Sequence, residues 1–419
     1  MKPERSTYRL VLATLGIFTL AAGDFWRYLL SWYGWGAIVL ILLVLAVIEL
    51  VRSRADVRRL PLILLATLAL MTLSIAWSAY PAESAFGVVG TLVTTTFALF
   101  LATCVSLPQL VDALAGATRA ALALSLLFEL VVAFWIRRPV LPFWVDYSDL
   151  EAIPRAFYWS RDVLLEGGRI QGIVGNANIL AMIALLAAIA GVARFVGRRG
   201  TLAGFLAWSV VAVVVLALTR STTVLLAAGV VAIVVTIAWI ARRGTGRWRV
   251  GALATLLVLA GVGPLVAVVF REPLLALVGR SADLTHRLDI WATVTTLAAE
   301  RPIGGWGWIG YWAPWVEPFD DLVVINGVTY LQAHNAWLDV FLQLGAVGLV
   351  VVALLVLTTS ARAWSFALDG PRDGALVLVA LLTAVLVQSL AESRLLIEIG
   401  WAILVIVSIR TATNRWARQ

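Results

Sequence analysis

The chain has 419 residues, of which 62% are hydrophobic and only 13% are charged, and its formal net charge is +8. A soluble domain carries about a quarter charged residues, so this composition excludes an ordinary soluble protein and predicts a polytopic membrane protein. The basic residues lie in short segments between apolar runs, which favours membrane topology over nucleic-acid binding as the reason for the charge. We therefore expect membrane lipids, and no nucleic acid, among the partners.

Apolar runs of membrane-spanning length predict an all-α bundle of about twelve transmembrane helices. The predicted spans are about 8–23, 34–51, 60–76, 85–105, 119–136, 177–196, 201–218, 222–240, 250–270, 336–358, 375–391 and 396–411. An even number of spans places both termini on one side of the membrane, and most of the arginines fall on that side. By the positive-inside rule that side is the cytoplasm.

Two substantial loops are then predicted on the outer face, at 137–175 and at 271–334. The second is too long for a simple connection, and such loops usually carry function. We therefore divide the chain into residues 1–270 with spans 1–9 and the first loop, the large extracytoplasmic loop 271–334, and residues 335–419 with spans 10–12.

Two polar segments in the first half of the chain are candidates for anion binding. The first outer loop ends in Gly167-Gly168-Arg169, where glycines allow close approach of a ligand, and Asn178 follows at the start of the next span. Asn178 would either cap its helix or hydrogen bond across helices. Arg220 lies in an outer turn, where it either marks the membrane boundary or binds an anion, because the positive-inside rule does not require it there.

The long outer loop begins with a predicted amphipathic helix at 280–300. Its apolar stripe consists of Leu284, Leu288, Trp291, Val294 and Ala298. Arg280 and Arg287 fall inside that stripe, where a guanidinium needs an acceptor. The acceptor is either a local carboxylate, for which Asp283 is available, or a phosphate, which an arginine fork fits well.

His334 lies at the end of this loop and is the better placed of only two histidines. A neutral imidazole near pH 7 is the commonest biological proton acceptor, although a histidine at a helix start is often only a hydrogen-bonding residue. His286 is expected to be structural. The sequence has neither zinc-ligand spacing nor a nucleotide-binding fingerprint, so we expect no metal and no cofactor.

Many of the 19 tryptophans lie near predicted span ends or in outer loops, which is typical of interfacial anchors. Sugar stacking is the alternative for four of them in the long loop: Trp306, Trp308, Trp312 and Trp315.

In their order along the chain, these segments resemble the O-antigen ligase family of bacterial membrane glycosyltransferases. The superfamily also contains O-antigen polymerases and protein O-oligosaccharyltransferases. The sharpest likeness is to the family's ligase signature, which is His, then Asn, Ser or Gln, nine residues, Gly, two residues, and Gly, Thr or Tyr. The residues that fit it are His334, Asn335, Gly345 and Gly348. Weaker similarities lie at 77–84, 168–178, 219–221, 287–291 and 302–307.

The resemblance implies transfer of a glycan from a polyprenyl diphosphate to the hydroxyl of a glycan, lipid or protein acceptor. The reaction would take place on the outer face of the bacterial inner membrane, as a single displacement with inversion. His334 would be the general base, Arg220 and Arg287 the preferred diphosphate ligands, and Arg169 and Arg280 secondary ligands. The candidates for a sugar or acceptor cleft are Trp306, Trp308, Trp312, Asn335 and Asn178.

Two alternatives remain open at the level of the sequence. A polymerase of the same superfamily would extend the lipid-linked glycan itself. A transporter or flippase is a second alternative, because acidic residues in or near apolar runs often mark ion pathways. Those residues are Glu49, Glu129, Asp339 and Glu398. The sequence contains no inverted repeat, which argues against a transporter.

Overall fold

The protein is a bundle of α-helices with one short β-hairpin. The computed structural model describes residues 3–56, 60–148, 150–244, 246–255, 282–325, 327–370 and 374–413. The helices are α1 (Pro3–Ala21), α2 (Gly23–Arg52), α3 (Leu62–Leu73), α4 (Pro81–Thr103), α5 (Leu107–Val131), α6 (Ala177–Val196), α7 (Leu202–Thr219), α8 (Thr222–Ala241), α9 (Ala282–Glu300), α10 (Ala336–Asp369), α11 (Ala375–Gln388) and α12 (Glu398–Thr413). The antiparallel strands β1 (Val324–Ile325) and β2 (Val328–Thr329) lie in the long loop, where the all-α prediction did not place them.

Seven of the described helices are long and apolar enough to cross a membrane, namely α2, α4, α5, α6, α7, α8 and α10. These helices confirm a multi-pass helical membrane protein. Judged by the length and apolar character of the described helices, the twelve predicted spans are not all confirmed. Most of the predicted span 250–270 lies outside the described residues, and so does Arg280.

The centre of the bundle is formed by helices that are apolar on every side, as expected for helices surrounded by other helices. In α6 every side chain from Leu180 to Ala187 is buried, and the helix packs between α5 and α7. The helix begins at Asn176, whose side chain accepts hydrogen bonds from the backbone N–H groups of Asn178 and Ile179. This capping satisfies donors that the first turn leaves unpaired.

One end of the bundle is rich in arginines that bind the carbonyls at helix ends. Arg9 donates to the carbonyl of Cys104 at the end of α4, and Arg242 donates to the carbonyl of Gly370 at the end of α10. Such contacts satisfy exposed carbonyls and suit the negative end of the helix dipole. This is the end that the sequence predicts to be cytoplasmic.

At the opposite end the first outer loop is attached to α5 through a buried carboxylate. Glu129 is 1% exposed, and it accepts hydrogen bonds from the backbone N–H groups of Gln171 and Gly172 and from the hydroxyl of Ser160. These bonds fix the segment that leads into α6.

In the long outer loop, α9 buries a face that only partly matches the predicted stripe. Val294 and Ala298 are buried as expected, but Leu288 is 51% exposed, and the buried face also includes Ile290 and Leu297. This face of α9 packs in a cluster with aromatic residues of the same loop. Tertiary contacts with the loop therefore determine which face of the helix is buried.

Helix α10 contains a break at Gly345, the first glycine of the signature. Gly345 has φ 63° and ψ −161°, a backbone conformation open essentially to glycine alone. Past the break, the N–H of Ala346 donates to the carbonyl of Pro302 at 2.8 Å and the N–H of Val347 donates to that of Ile303 at 3.2 Å. The loop segment 302–307 therefore supplies acceptors that the interrupted helix has lost.

The same segment also binds the carbonyls before the break. The N–H of Trp306 donates to the carbonyl of Leu342 at 3.0 Å, and the N–H of Gly307 donates to that of Gln343 at 2.9 Å. The buried Gln343 side chain accepts from the N–H groups of Ile309 and Gly310. The loop and the broken helix thus complete each other's hydrogen bonding, and this fixes the outer part of α10 below the loop.

Candidate active site

The centre of the candidate site is Glu392, which lies between α11 and α12 and was not among the predicted site residues. Its carboxylate is 5% exposed. Oε2 lies 2.9 Å from Nδ1 of His334, while Oε1 accepts from Asn178 Nδ2 at 2.8 Å and from Arg287 Nη2 at 3.2 Å. Three residues selected from distant segments therefore meet at one carboxylate. We call Glu392, His334, Asn178, Arg287 and Arg169 the Glu392 cluster.

Arg169 joins the cluster through Asn178. Its Nη2 donates to Oδ1 of Asn178 at 2.8 Å, and its Nε donates to the carbonyl of Thr219 at 2.9 Å. The hydroxyl of Ser221 donates to the same amide oxygen at 2.9 Å. Asn178 therefore links the turn between α7 and α8 to Glu392, which confirms that it hydrogen bonds across helices.

Arg220 lies in that turn, beside the cluster. It ends α7 in a left-handed conformation, with φ 47° and ψ 40°. A Cβ atom added to Gly167 would lie 3.5 Å from Nη2 of Arg220, so the guanidinium faces the segment that carries Arg169. The structure thus brings Arg169, Arg220 and Arg287 to the same end of the bundle as His334. Arg280 lies outside the described residues, and the side chain of His286 is not described either.

His334 is held just before α10 but does not cap it. The capping residue is Asn335, whose side-chain oxygen accepts from the N–H groups of Trp337 and Leu338. His334 has φ 50°, its imidazole is 20% exposed, and its ring lies edge-on to Tyr330 at 5.6 Å between centroids. The histidine ring is therefore directed toward Glu392 and is not used for helix capping.

A second buried carboxylate fixes the backbone on both sides of the cluster. Asp339 is fully buried and accepts from Trp312 Nε1 at 2.9 Å, from the N–H of Ala333 at 3.0 Å and from the hydroxyl of Ser393. Ala333 and Ser393 are the chain neighbours of the histidine and of the glutamate. Asp339 therefore holds the two backbone segments in a fixed relative position.

The charges around Glu392 keep its carboxyl group ionised. Burial by itself would raise the pKa of Glu392, but the charge and hydrogen bond of His334, the charge of Arg287 and the hydrogen bond from Asn178 outweigh it and lower the pKa to about 2. A carboxylate that stays charged at every physiological pH can serve as a permanent acceptor for Nδ1–H of the imidazole.

This lowered pKa predicts an acid dependence of stability. Above the unfolded pKa of about 4.3, ionised Glu392 stabilises the folded protein, and this contribution is lost as the pH falls through about 2. We expect Glu392→Gln to lower the free energy of unfolding by on the order of 3 kcal/mol near neutral pH, and by progressively less below about pH 4. Thermal unfolding followed by tryptophan fluorescence at several pH values measures the difference from wild type. Glu300→Gln, at an exposed position, is the matched control; a Glu392→Gln difference that persists unchanged at pH 3 contradicts the prediction.

The predicted aromatic cleft needs correction for two of its residues. Trp308 is 0% exposed and donates to the hydroxyl of Thr91, while Trp312 is 1% exposed and donates to Asp339. Neither ring presents a face on which a sugar can stack, because both lie inside the packed loop. Trp306 is partly exposed, with the guanidinium of Arg301 at 4.2 Å from its ring, and it remains a candidate.

Each acidic residue that raised the transporter alternative has a structural partner. Glu49 pairs with Arg9 at 2.7 Å, and Glu398 pairs with Arg394. Glu129 and Asp339 bind loop backbone, as described above. These contacts explain the acids by packing and hydrogen bonding and do not call for an ion pathway.

Comparison with known proteins finds a family likeness, largely in the second half of the chain. Residues 205–353 match the model of the O-antigen ligase family, and no curated protein matches the chain. The matched stretch contains Arg220, Arg287 and His334, whereas Arg169, Asn178 and Glu392 lie outside it. The chain is thus similar to that family over the stretch that also contains the signature at His334.

Proposed function

We propose that this chain, which carries an O-antigen ligase match at residues 205–353, transfers a glycan from a polyprenyl diphosphate to the hydroxyl of an acceptor. The reaction would take place on the outer face of the bacterial inner membrane, with both termini in the cytoplasm. The acceptor is a second glycan, a lipid or a protein.

The observation that carries the proposal is the Glu392 cluster itself. Arg287 and His334 contact the carboxylate of Glu392 directly, and Arg169 joins it through Asn178, although these residues come from distant segments of the chain. A proton acceptor beside several fixed cations suits a reaction in which an alcohol is deprotonated while an anionic group departs.

In the proposed reaction, the acceptor oxygen attacks the anomeric carbon as the bond from that carbon to the diphosphate oxygen breaks. The diphosphate leaves with the bonding electron pair, and the hydroxyl proton passes to Nε2 of His334, the ring nitrogen that does not face Glu392. Arg287, Arg220 and Arg169 stabilise the charge that grows on the diphosphate. A single displacement of this kind inverts the anomeric configuration, and general base catalysis contributes about 10²- to 10⁴-fold to its rate.

The direct test is transfer by purified protein in detergent. Polyprenyl-diphosphate-linked glycan is incubated with separated candidate acceptors, and both the new glycoside and the released polyprenyl diphosphate are measured. Transfer to a distinct acceptor supports the ligase function, whereas extension of the lipid-linked glycan shows a polymerase. Absence of both products, with every acceptor tested and with correctly folded protein, rejects the proposal.

Arg287→Lys tests the role of the guanidinium. An ammonium keeps the charge but cannot form the planar fork, so we expect kcat/KM for the lipid-linked donor to fall about 10- to 100-fold. Arg249→Lys, which changes an arginine paired with Asp369 at the opposite end of the bundle, is the matched control and is expected to leave turnover unchanged. Wild-type kinetics for Arg287→Lys argue against a bidentate contact with the diphosphate.

A further inference from the structure

Glu392 contacts two residues to which the proposed reaction gives different tasks. Its Oε2 faces the imidazole of the base, and its Oε1 accepts from Arg287, a diphosphate ligand. We propose that Glu392 is a positioning residue that couples binding of the donor diphosphate at Arg287 to the proton affinity of His334. This inference rests on the proposed function of the site.

The first half of the coupling is the choice of tautomer. An ionised carboxylate only accepts hydrogen bonds, so the contact of 2.9 Å requires the proton of neutral His334 to lie on Nδ1. Nε2 is then left with its lone pair and can accept the proton of the attacking alcohol. Without the carboxylate, His334 could adopt the other neutral tautomer. In that tautomer the proton lies on Nε2, which then cannot accept the proton of the alcohol.

The second half is competition for Arg287. In the structure the carboxylate of Glu392 is shared between the guanidinium and the imidazole, at 3.2 Å and 2.9 Å. A diphosphate is a stronger and more highly charged acceptor than a single carboxylate, and an arginine fork fits its oxygens well. When the guanidinium turns toward the diphosphate, the charge of Glu392 is less neutralised and attracts a proton on His334 more strongly. The base becomes stronger when the donor is in place.

Other charged groups near the Glu392 cluster have partners of their own. Arg169 is connected to Glu392 through the amide of Asn178. Arg394, two residues further along the chain, pairs with Glu398. Asp339, which faces His334 from the first turn of α10, is occupied by its three donors. Arg287 combines a direct bond to Glu392 with a proposed contact to the donor diphosphate.

The two-histidine sequence allows a direct measurement. In a His286→Gln background the only imidazole is that of His334, so ¹⁵N-histidine labelling reports its tautomer and protonation in detergent-solubilised full-length protein. The probe for the donor is inorganic pyrophosphate. We expect Nδ1–H to be the dominant neutral tautomer, and we expect pyrophosphate to raise the proton affinity of His334 about fivefold or more, within the usual range of coupling between two sites.

The variant Glu392→Gln separates this coupling from the direct effect of a nearby anion. In both proteins pyrophosphate raises the proton affinity of His334 directly, because its negative charge attracts the proton through space. The coupling through Glu392 is therefore measured by how much larger this increase is in the wild type than in the variant. We expect Glu392→Gln to lose both the preference for the Nδ1–H tautomer and the additional increase in proton affinity. Equal pyrophosphate-induced shifts in the two proteins overturn the inference, and Glu300→Gln is the control for a charge change elsewhere.

A second variant keeps the test decisive should Glu392→Gln not fold. Arg287→Gln releases Glu392 permanently, so without pyrophosphate His334 is expected to bind its proton more tightly than in the wild type. The value stays below that of the wild type with pyrophosphate, where the anion adds its own attraction through space. An unchanged proton affinity in Arg287→Gln contradicts the coupling. Absence of transfer and of chain extension by the folded wild-type protein would instead reject the proposed function, whatever the titrations show, so the two failures are distinguishable.

Discussion

Replacement of His334 by alanine is expected to abolish glycan transfer while the protein remains folded and binds its lipid-linked donor. The imidazole is part of no helix cap, and Glu392 keeps its bonds to Arg287 and Asn178 when the ring is removed. The loss of a general base lowers turnover by about 10²- to 10⁴-fold, which brings transfer close to the limit of detection. The measurement is turnover of polyprenyl-diphosphate-linked glycan by purified protein, with donor binding determined separately.

The second histidine supplies the control for this prediction. His286→Ala changes a residue on α9 to which no role in the reaction is assigned, and we expect it to retain wild-type turnover. Near-normal turnover in His334→Ala would reject the assignment of the base. Equal losses in the two variants would mean that α9 and the loop around it are disturbed in general.

The largest structural effect is expected for Gly345→Ala. The backbone conformation at this position alone costs a non-glycine residue about 1–3 kcal/mol. An added Cβ would also overlap the carbonyl of Ile303, in the loop segment that completes the hydrogen bonding of α10. We expect the variant to lose the loop attachment and, with it, transfer activity, together with a lower unfolding temperature and altered tryptophan emission.

A glycine in open space provides the comparison. Gly229 lies inside α8, and a Cβ added there meets no atom within 4 Å. Gly229→Ala should therefore be neutral or stabilising by up to about 1 kcal/mol, because alanine is the better helix former. Should Gly345→Ala prove as stable as Gly229→Ala, the break in α10 does not require glycine.

The sequence predicted four members of the Glu392 cluster but not Glu392 itself. Arginines at an outer helix end and a histidine after a long loop are unusual enough to be noticed individually. A single acid in a short polar turn between two apolar runs is not, because connections of this kind normally contain polar residues. The role of Glu392 depends on four segments that meet in the folded protein, at 169–178, 287, 334 and 392. Spacing along the chain cannot reveal that these segments lie together.

Helix boundaries show a related limit. The apolar pattern around Gly345 continues on both sides, so the sequence indicates one uninterrupted span where the structure has a break. The break is stable only because a distant loop segment supplies replacement hydrogen bonds. Likewise, the predicted span 34–51 lies within the longer α2, which bends at Ser31 and begins at Gly23.

The mutual dependence of the outer loop and α10 has a consequence for biogenesis. The loop leaves the ribosome before the helix whose carbonyls and amides it needs, so in the nascent chain these groups are at first unmatched. The loop can settle only after residues beyond Gly345 have entered the membrane, and Glu392 arrives later still. An incompletely translated chain therefore lacks groups on which the proposed reaction depends.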